Sequence, residues 1–369
     1  MTRFKTLTRV IGVFSMGLAA TLLSVSAQAE IKMTPALKGL VKAAAAEGTL
    51  NVVWGPSLGA AKGARALQDS INKTFGINIK INYTPGPSMP RLASRVIQEI
   101  KAGRTPSTDV FLGAETTLTR MIRSKGVVPV TWRKYFPGIT KGQPVNKGMA
   151  VHIATLFSGI YYNAEYIKPN EVPKKMADIF NPKWKGKIAS TPYAAGFDRL
   201  ALARGIDVIR PVVQKTAEWT GGLMRCGEYE RLASGEFIML FLDCGRTDDR
   251  LLVENGGPLG QVVIEDAAIT TNWYFGVPTK SAHPNLATLF AGFVATSDGQ
   301  KVIQKYGGAT SHRVPGTLAH STAKKFAAKG VNLLVWTPDD LLKRSKDLAA
   351  YRKEFQRTLR AKHKKKKKK

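Results

Sequence analysis

Arg199 and Arg246 each stand just after a turn built from small residues. A guanidinium there can grip a carboxylate or phosphonate with two parallel hydrogen bonds, although surface salt bridges are the competing use of both arginines. Three strand-to-helix turns could serve such an anion: Trp54-Gly55-Pro56-Ser57-Leu58-Gly59, Gly113-Ala114-Glu115-Thr116-Thr117 and Thr191-Pro192-Tyr193-Ala194-Ala195-Gly196. A helix that opens after such a turn offers free N–H groups and a partial positive charge. Chemistry of other kinds finds little support. The chain lacks a phosphate-binding loop, a dinucleotide glycine fingerprint, a G-x-S-x-G elbow and a zincin helix. Its five histidines, at 152, 283, 312, 320 and 363, show no ligand spacing, and Asp248-Asp249 and Glu265-Asp266 are merely adjacent carboxylates. No enzymatic activity, cofactor or metal is expected from these residues.

Cys226 and Cys244 are the two cysteines. Cys226 opens an expected helix over 225–234 and Cys244 follows an expected strand over 237–242, which brings both to one side of a helix–strand hairpin. A disulfide is expected, with two separate buried thiols as the alternative.

The elements that must position these residues alternate. Thr34-Pro35 reads as an N-cap followed by a first-turn proline, opening a helix over 36–46 that stops near Gly48. Strands are expected over 50–54, 77–83 and 109–113, with helices over 60–75 and 91–102 and another running to residue 125. The pattern resumes with a strand at 188–190, a helix over 197–204, a strand at 238–242, a helix over 248–254 and a strand at 261–264. Strand–helix alternation implies right-handed crossovers and an α/β fold. Two extended stretches, 150–163 and 267–277, read as connections between two lobes. The expected division is a first lobe over 30–150, a second over 151–266, a return to the first over 267–342, and a basic C-terminal helix and lysine tail over 343–369.

The chain's formal charge is +30, from 56 basic and 26 acidic residues. Residues 1–29 hold +3, and residues 343–369 hold fourteen basic residues against two acids, or +12, so 30 − 3 − 12 leaves +15 for the body. Half of the excess is therefore terminal, and specific nucleic-acid binding is not expected because the aromatic-rich basic patches that favour it are missing. Arg3, Lys5 and Arg9, the uncharged run 10–26 and Ala27-Gln28-Ala29 form a secretory signal, with cleavage expected before Glu30 and export to the periplasm; an N-terminal membrane anchor is the alternative.

Several segments resemble the bacterial extracellular solute-binding proteins of family 1. They are Glu47-Gly48-Thr49-Leu50-Asn51-Val52-Val53, Arg91-Leu92 through Ala102-Gly103-Arg104 to Asp109-Val110, and Tyr162-Asn163 through Val172-Pro173 to Asn181-Pro182-Lys183-Trp184-Lys185-Gly186-Lys187-Ile188. His283-Pro284-Asn285 and Ser297-Asp298-Gly299-Gln300 complete the series. The resemblance spans residues 47–315 and implies a two-lobed type II periplasmic-binding fold with mixed, mostly parallel sheets on a two-strand hinge. It also implies a monomer that delivers one solute to an inner-membrane ATP-driven permease.

Iron(III)-binding members of that family use clustered tyrosines, whereas Tyr161-Tyr162 here lies in the crossover block and suits a strand with one ring on each face. A small organic anion is the expected solute, with iron(III) as the alternative; an exported enzyme on the same fold is the rival of another class. Expected ligand contacts are Trp54, Ser57, Ser88 and Glu115 from one lobe, Tyr193, Ala195, Gly196, Arg199 and Arg246 from the other, and Thr271 and Asn272 from the crossover.

Overall fold

In a computed structural model of the chain, residues 31–55, 57–194, 196–245 and 256–366 are described. The expected signal and its cleavage site, Ala195, Arg246 and the expected helix over 248–254 lie outside them.

The first lobe begins with α1 (Pro35–Glu47), where Thr34 accepts a hydrogen bond from the Leu37 N–H at 3.2 Å and Gly48, at φ 67°, ends the helix. Next come β1 (Thr49–Trp54), α2 (Ala60–Phe75), β2 (Lys80–Pro85), α3 (Met89–Lys101), β3 (Phe111–Ala114), α4 (Glu115–Arg123), β4 (Val127–Val128), α5 (Trp132–Tyr135) and β5 (Pro144–Val145). β1 and β2 pair in parallel, and a parallel bridge from Val52 to Val110 joins them to the rest of the lobe. The chain then runs through β6 (Ala150–Ser158) in the first lobe into β7 (Ile160–Asn163) in the second, with Gly159 between them. A Cβ on Gly159 would lie 2.0 Å from the Val262 carbonyl oxygen, so the chain end at Val262 that pairs with Ile160 lies backbone to backbone against the first crossing segment here and only glycine fits.

The second lobe is built from β7, β8 (Ile188–Ser190), α6 (Phe197–Arg204), α7 (Ile206–Trp219), β9 (Thr220–Leu223), α8 (Glu230–Ala233), β10 (Met239–Phe241) and β11 (Leu259–Val262). Its sheet order is β11-β7-β10-β8-β9. The return strand β12 (Ile269–Pro278) lies in the first lobe's sheet, of order β3-β12-β6-β5. β8 is parallel to β9 and β10, whereas β12 is antiparallel to β3, β4 and β6, and β7 is antiparallel to β10 and β11. The antiparallel pairings come from the crossing strands, which run against the βαβ direction of both lobes.

Helices α9 (Pro284–Ala295) and α10 (Ser297–Gly307) cover the first lobe, followed by α11 (Leu318–Ala328), α12 (Pro338–Lys343) and α13 (Ser345–Lys366). One core draws on residues from Leu37 to Leu156 and again from Trp273 to Ala309, and a second on residues from Ile160 to Ile269. Phe355 and Leu359 of α13 belong to that second core. The expected basic C-terminal helix is therefore present through residue 366 and docks on the second lobe by the buried side chains of Leu348, Phe355 and Leu359.

Cys226 and Cys244 are bonded, their Cα atoms 5.9 Å apart. The helix expected to start at Cys226 is confined to α8, so the bridge ties a turn, not a helix end, to the chain after β10. Closing a span of 18 residues should stabilise the protein by about 3 kcal/mol through unfolded-state entropy. The Cys226→Ser/Cys244→Ser variant is expected to lose that amount in urea unfolding, and an unchanged midpoint would contradict it.

Candidate functional site

The helix start at α6 sets the site. Gly196, at φ 82°, turns the chain into α6 and places Arg199 on its first turn. Arg199 is 5% exposed. Its Nη1 donates to Oε1 of Glu115 in a close ion pair and to the Thr270 carbonyl at 3.1 Å, and its Nη2 donates to the Thr271 hydroxyl at 3.3 Å. Glu115 is fully buried at the start of α4, and its Oε2 accepts the Asn272 N–H at 2.7 Å. Burial pushes the Glu115 carboxyl above its usual range, against the pull of the Arg199 guanidinium and the Asn272 N–H.

The charges continue outward. Asp198 lies 3.7 Å from Arg199 Nε and accepts from Arg352 Nε of α13 at 2.7 Å. The order Glu115–Arg199–Asp198–Arg352 alternates in sign and runs from the first lobe through the second to the C-terminal helix. Arg199 Nε itself, and the hydroxyl of Ser190 at the end of β8, are buried with no hydrogen-bond partner among the described residues.

Beside this series opens a cavity of about 900 Å³ between α4 and α13. α4 lines it with Thr116, Thr119, Arg120 and Arg123, and α13 lines it with Ser345, Leu348, Ala349, Arg352, Lys353, Gln356, Arg357, Arg360 and Ala361; Ser124 completes the wall. Arg120, Arg123, Lys353, Arg357 and Arg360 are exposed, and no carboxylate is part of the lining. Arg360 donates to the Pro192 carbonyl through Nε at 3.1 Å and Nη2 at 2.7 Å, while Gln356 donates to the Tyr193 carbonyl at 3.1 Å. α13 therefore holds the turn that leads into Gly196 and α6.

Of the expected ligand contacts, Glu115, Arg199, Thr271 and Asn272 come together, with Gly196 opening the helix that carries Arg199. Arg199 does not present a free charge, because Glu115 already neutralises it. Trp54 is 2% exposed and packs inside the first lobe, its ring centroid 6.0 Å from Phe290. Ser88 is exposed at the start of α3 and makes no side-chain cap there. Tyr193 is 40% exposed beside α13. Ser57 lies in a short turn before α2. Tyr161 stacks on Tyr229 at 4.5 Å in one core while Tyr162 packs against the other, one ring on each face of β7.

The cations of α4 and α13 were not among the expected contacts. The signal for them is periodicity: Arg120 and Arg123 follow Thr116 at i+4 and i+7, and Lys353, Gln356, Arg357 and Arg360 recur on one face of α13.

Next to the hinge, His152 is buried, with Nδ1 2.8 Å from the Ser311 hydroxyl and Nε2 3.2 Å from Asn272 Oδ1. His312 contacts Thr155, and its carbonyl lies 2.9 Å from His320 Nδ1. Burial holds His152 well below its usual pKa, and burial with the nearby Arg313 cation lowers His312 to about 4. Both are neutral in the folded protein near neutrality but accept protons near 6.5 when unfolded. The unfolded chain binds more protons below that pH, so stability should fall as pH drops from about 6.5 towards 4, by up to about 1.4 kcal/mol per pH unit for each histidine. Glu115, with its raised pKa, contributes with the opposite sign over the range upward from about 4.5, so it offsets part of the histidine effect. Urea midpoints between pH 6.5 and 5 should depend less on pH in His152→Gln than in the parent. An identical slope would rule out this histidine as a source.

Residues 66–223 match the family described as Bacterial extracellular solute-binding protein. No curated protein sequence matches the chain. Among solved structures, iron-bound HitA from Pseudomonas aeruginosa is similar at a TM-score of 0.66 and 20% identity, covering 83% of this chain and 99% of that one. The substrate binding protein of the ABC transporter from Agrobacterium tumefaciens has a TM-score of 0.67 and 16% identity, covering 85% and 97%. The periplasmic binding protein AfuA from Actinobacillus pleuropneumoniae, with fructose-6-phosphate bound, has a TM-score of 0.61 and 16% identity, covering 84% and 98%. Among the described residues no group of three or more His, Cys, Asp or Glu is placed to hold a metal ion, and no helix is long and apolar enough to cross a membrane. Residues 66–223 thus carry the sequence pattern of a bacterial extracellular solute-binding protein, set within the fold of the type II periplasmic binding proteins.

Proposed function

We propose that this protein is the solute-capturing component of an ATP-driven importer, working as a monomer in the periplasm. It takes a small organic anion between its lobes and hands it to an inner-membrane permease. The observation that carries this reading is the seam between the lobes, where helix starts and cationic side chains converge beside a hinge of two crossing segments. The cavity between α4 and α13 is lined by six arginine or lysine side chains and no carboxylate, which favours a negative solute. A hinge serves capture only if the solute binds the closed form better than the open one, so groups from both sides must touch it. α4 belongs to the first lobe and α13 to the second, which meets that requirement.

A thermal-shift panel of sugars, amino acids, carboxylates and phosphate esters tests the reading on the purified mature protein. A solute present at about a hundred times its dissociation constant should stabilise by about 2.7 kcal/mol, or about 4 °C for a chain of this size. A shift from a carboxylate or phosphate ester is the expected result. Silence across the whole panel would refute solute capture, and a shift from neutral solutes alone would refute the anion.

A further inference from the structure

Resting on the reading of an anionic solute, we infer that the solute carries at least two negative charges and is held by arginines of α4 and α13, so that the C-terminal helix forms one wall of the site. Arg120, Arg123, Lys353, Arg357 and Arg360 all line the cavity, and none pairs with a carboxylate among the described residues. Arg352 is the one lining cation with such a partner, Asp198. Arg120 donates to the Ser94 hydroxyl at 2.8 Å and Arg360 to a backbone carbonyl, neither of which removes charge.

Five unneutralised cations around one space repel each other, and solvent screens them less inside a concavity than on an open face. One negative charge would leave most of that repulsion in place. A phosphate ester or a di- or tricarboxylate, bearing two or three charges, would relieve it, and arginines on opposite walls suit two-pronged contacts with either. The size agrees, since about 900 Å³ suits a metabolite, not a polymer.

The geometry also gives the C-terminal helix a task that its charge alone does not explain. It packs on the second lobe through Phe355 and Leu359 while Arg352, Gln356 and Arg360 contact Asp198 and the turn before Gly196. A solute bridging Arg123 and Arg357 would therefore join the first lobe to a helix already fastened to the second, which is the contact closure requires.

Calorimetry on the full mature chain tests this with glucose 6-phosphate, inorganic phosphate and citrate as the multiply charged probes, and with acetate and glucose as the singly charged and neutral ones. At least one multiply charged probe is expected to bind, with citrate against the phosphates separating the two chemistries. The Arg123→Ala/Arg357→Ala variant should weaken it by at least about tenfold, the loss expected for charged hydrogen bonds. Lys324→Glu/Lys325→Glu, which makes the larger change in net charge on the exposed face of α11, should leave affinity unchanged; an equal loss there would reduce the effect to long-range charge and overturn the inference. Tight binding of glucose or acetate that survives in the arginine variant would overturn it while leaving solute capture intact. Failure of every multiply charged probe at millimolar concentration, or arginine-dependent binding of duplex DNA or anionic vesicles in place of the small probes, would overturn it as well.

Discussion

Glu115→Gln should destabilise the protein by about 3 kcal/mol, although the substitution keeps the size of the side chain. Arg199 is almost fully buried, and its closest countercharge is Glu115, reached across the seam between the lobes. Removing that charge leaves a guanidinium in a poorly solvated place with only Asp198, which is already shared with Arg352. Breaking one side of a buried pair costs about 3–5 kcal/mol, and the Asp198 contact argues for the lower end. The Asn272 N–H retains an acceptor in the glutamine oxygen, so the loss measures charge, not a missing hydrogen bond. Replacing both partners should cost far less than the sum of the single changes, because the pair's desolvation penalty disappears with its attraction. Urea unfolding of Glu115→Gln, Arg199→Met and the double variant checks this, and additivity would show that the two side chains do not act as a pair. Since the pair joins the lobes, X-ray scattering of Glu115→Gln without solute should also show a larger radius of gyration than the parent.

Most of the fold was legible because its signals are local. Thr34-Pro35 and Gly48 mark both ends of α1, and α2 and α6 lie where hydrophobic spacing and glycine turns place them. The crossing strands were legible for the same reason: 150–163 and 267–277 are long, extended and interrupted by glycine. The partner of Arg199 was not legible, because Glu115 lies 84 residues upstream and meets it only after both lobes have formed. The wall made by α13 was missed for another reason. A run rich in lysine and arginine reads as a solvated face, and only the sparse apolar series Leu348, Phe355 and Leu359 shows that one side of the helix is buried. Trp54 shows where periodicity fails. Along β1 the burial pattern alternates at first and then stops, with Val52, Val53 and Trp54 all buried, because the end of the strand is covered on both faces. Alternation cannot tell whether a tryptophan there points into a cleft or into the core.

Trp54→Ala consequently separates the two roles. The indole lies 5.8 Å from Tyr83, 6.0 Å from Phe290 and 6.1 Å from Phe275 by ring centroids, joining β2, α9 and β12 in one aromatic group. Truncating a buried tryptophan removes its transfer energy and leaves a cavity, a loss of about 3–5 kcal/mol. Trp54→Phe should lose less, since it keeps a ring against Phe290 and removes an indole N–H that is buried without a partner among the described residues. If Trp54 serves the core and not the solute, the folded fraction of Trp54→Ala should bind the solute with the parent's dissociation constant, because the cavity lined by α4 and α13 is built from other residues. Urea unfolding combined with calorimetry at a temperature where the variant remains folded distinguishes the possibilities. A variant as stable as the parent that no longer binds would place the indole in the solute site and contradict its burial; a less stable variant with unchanged affinity is the expected result.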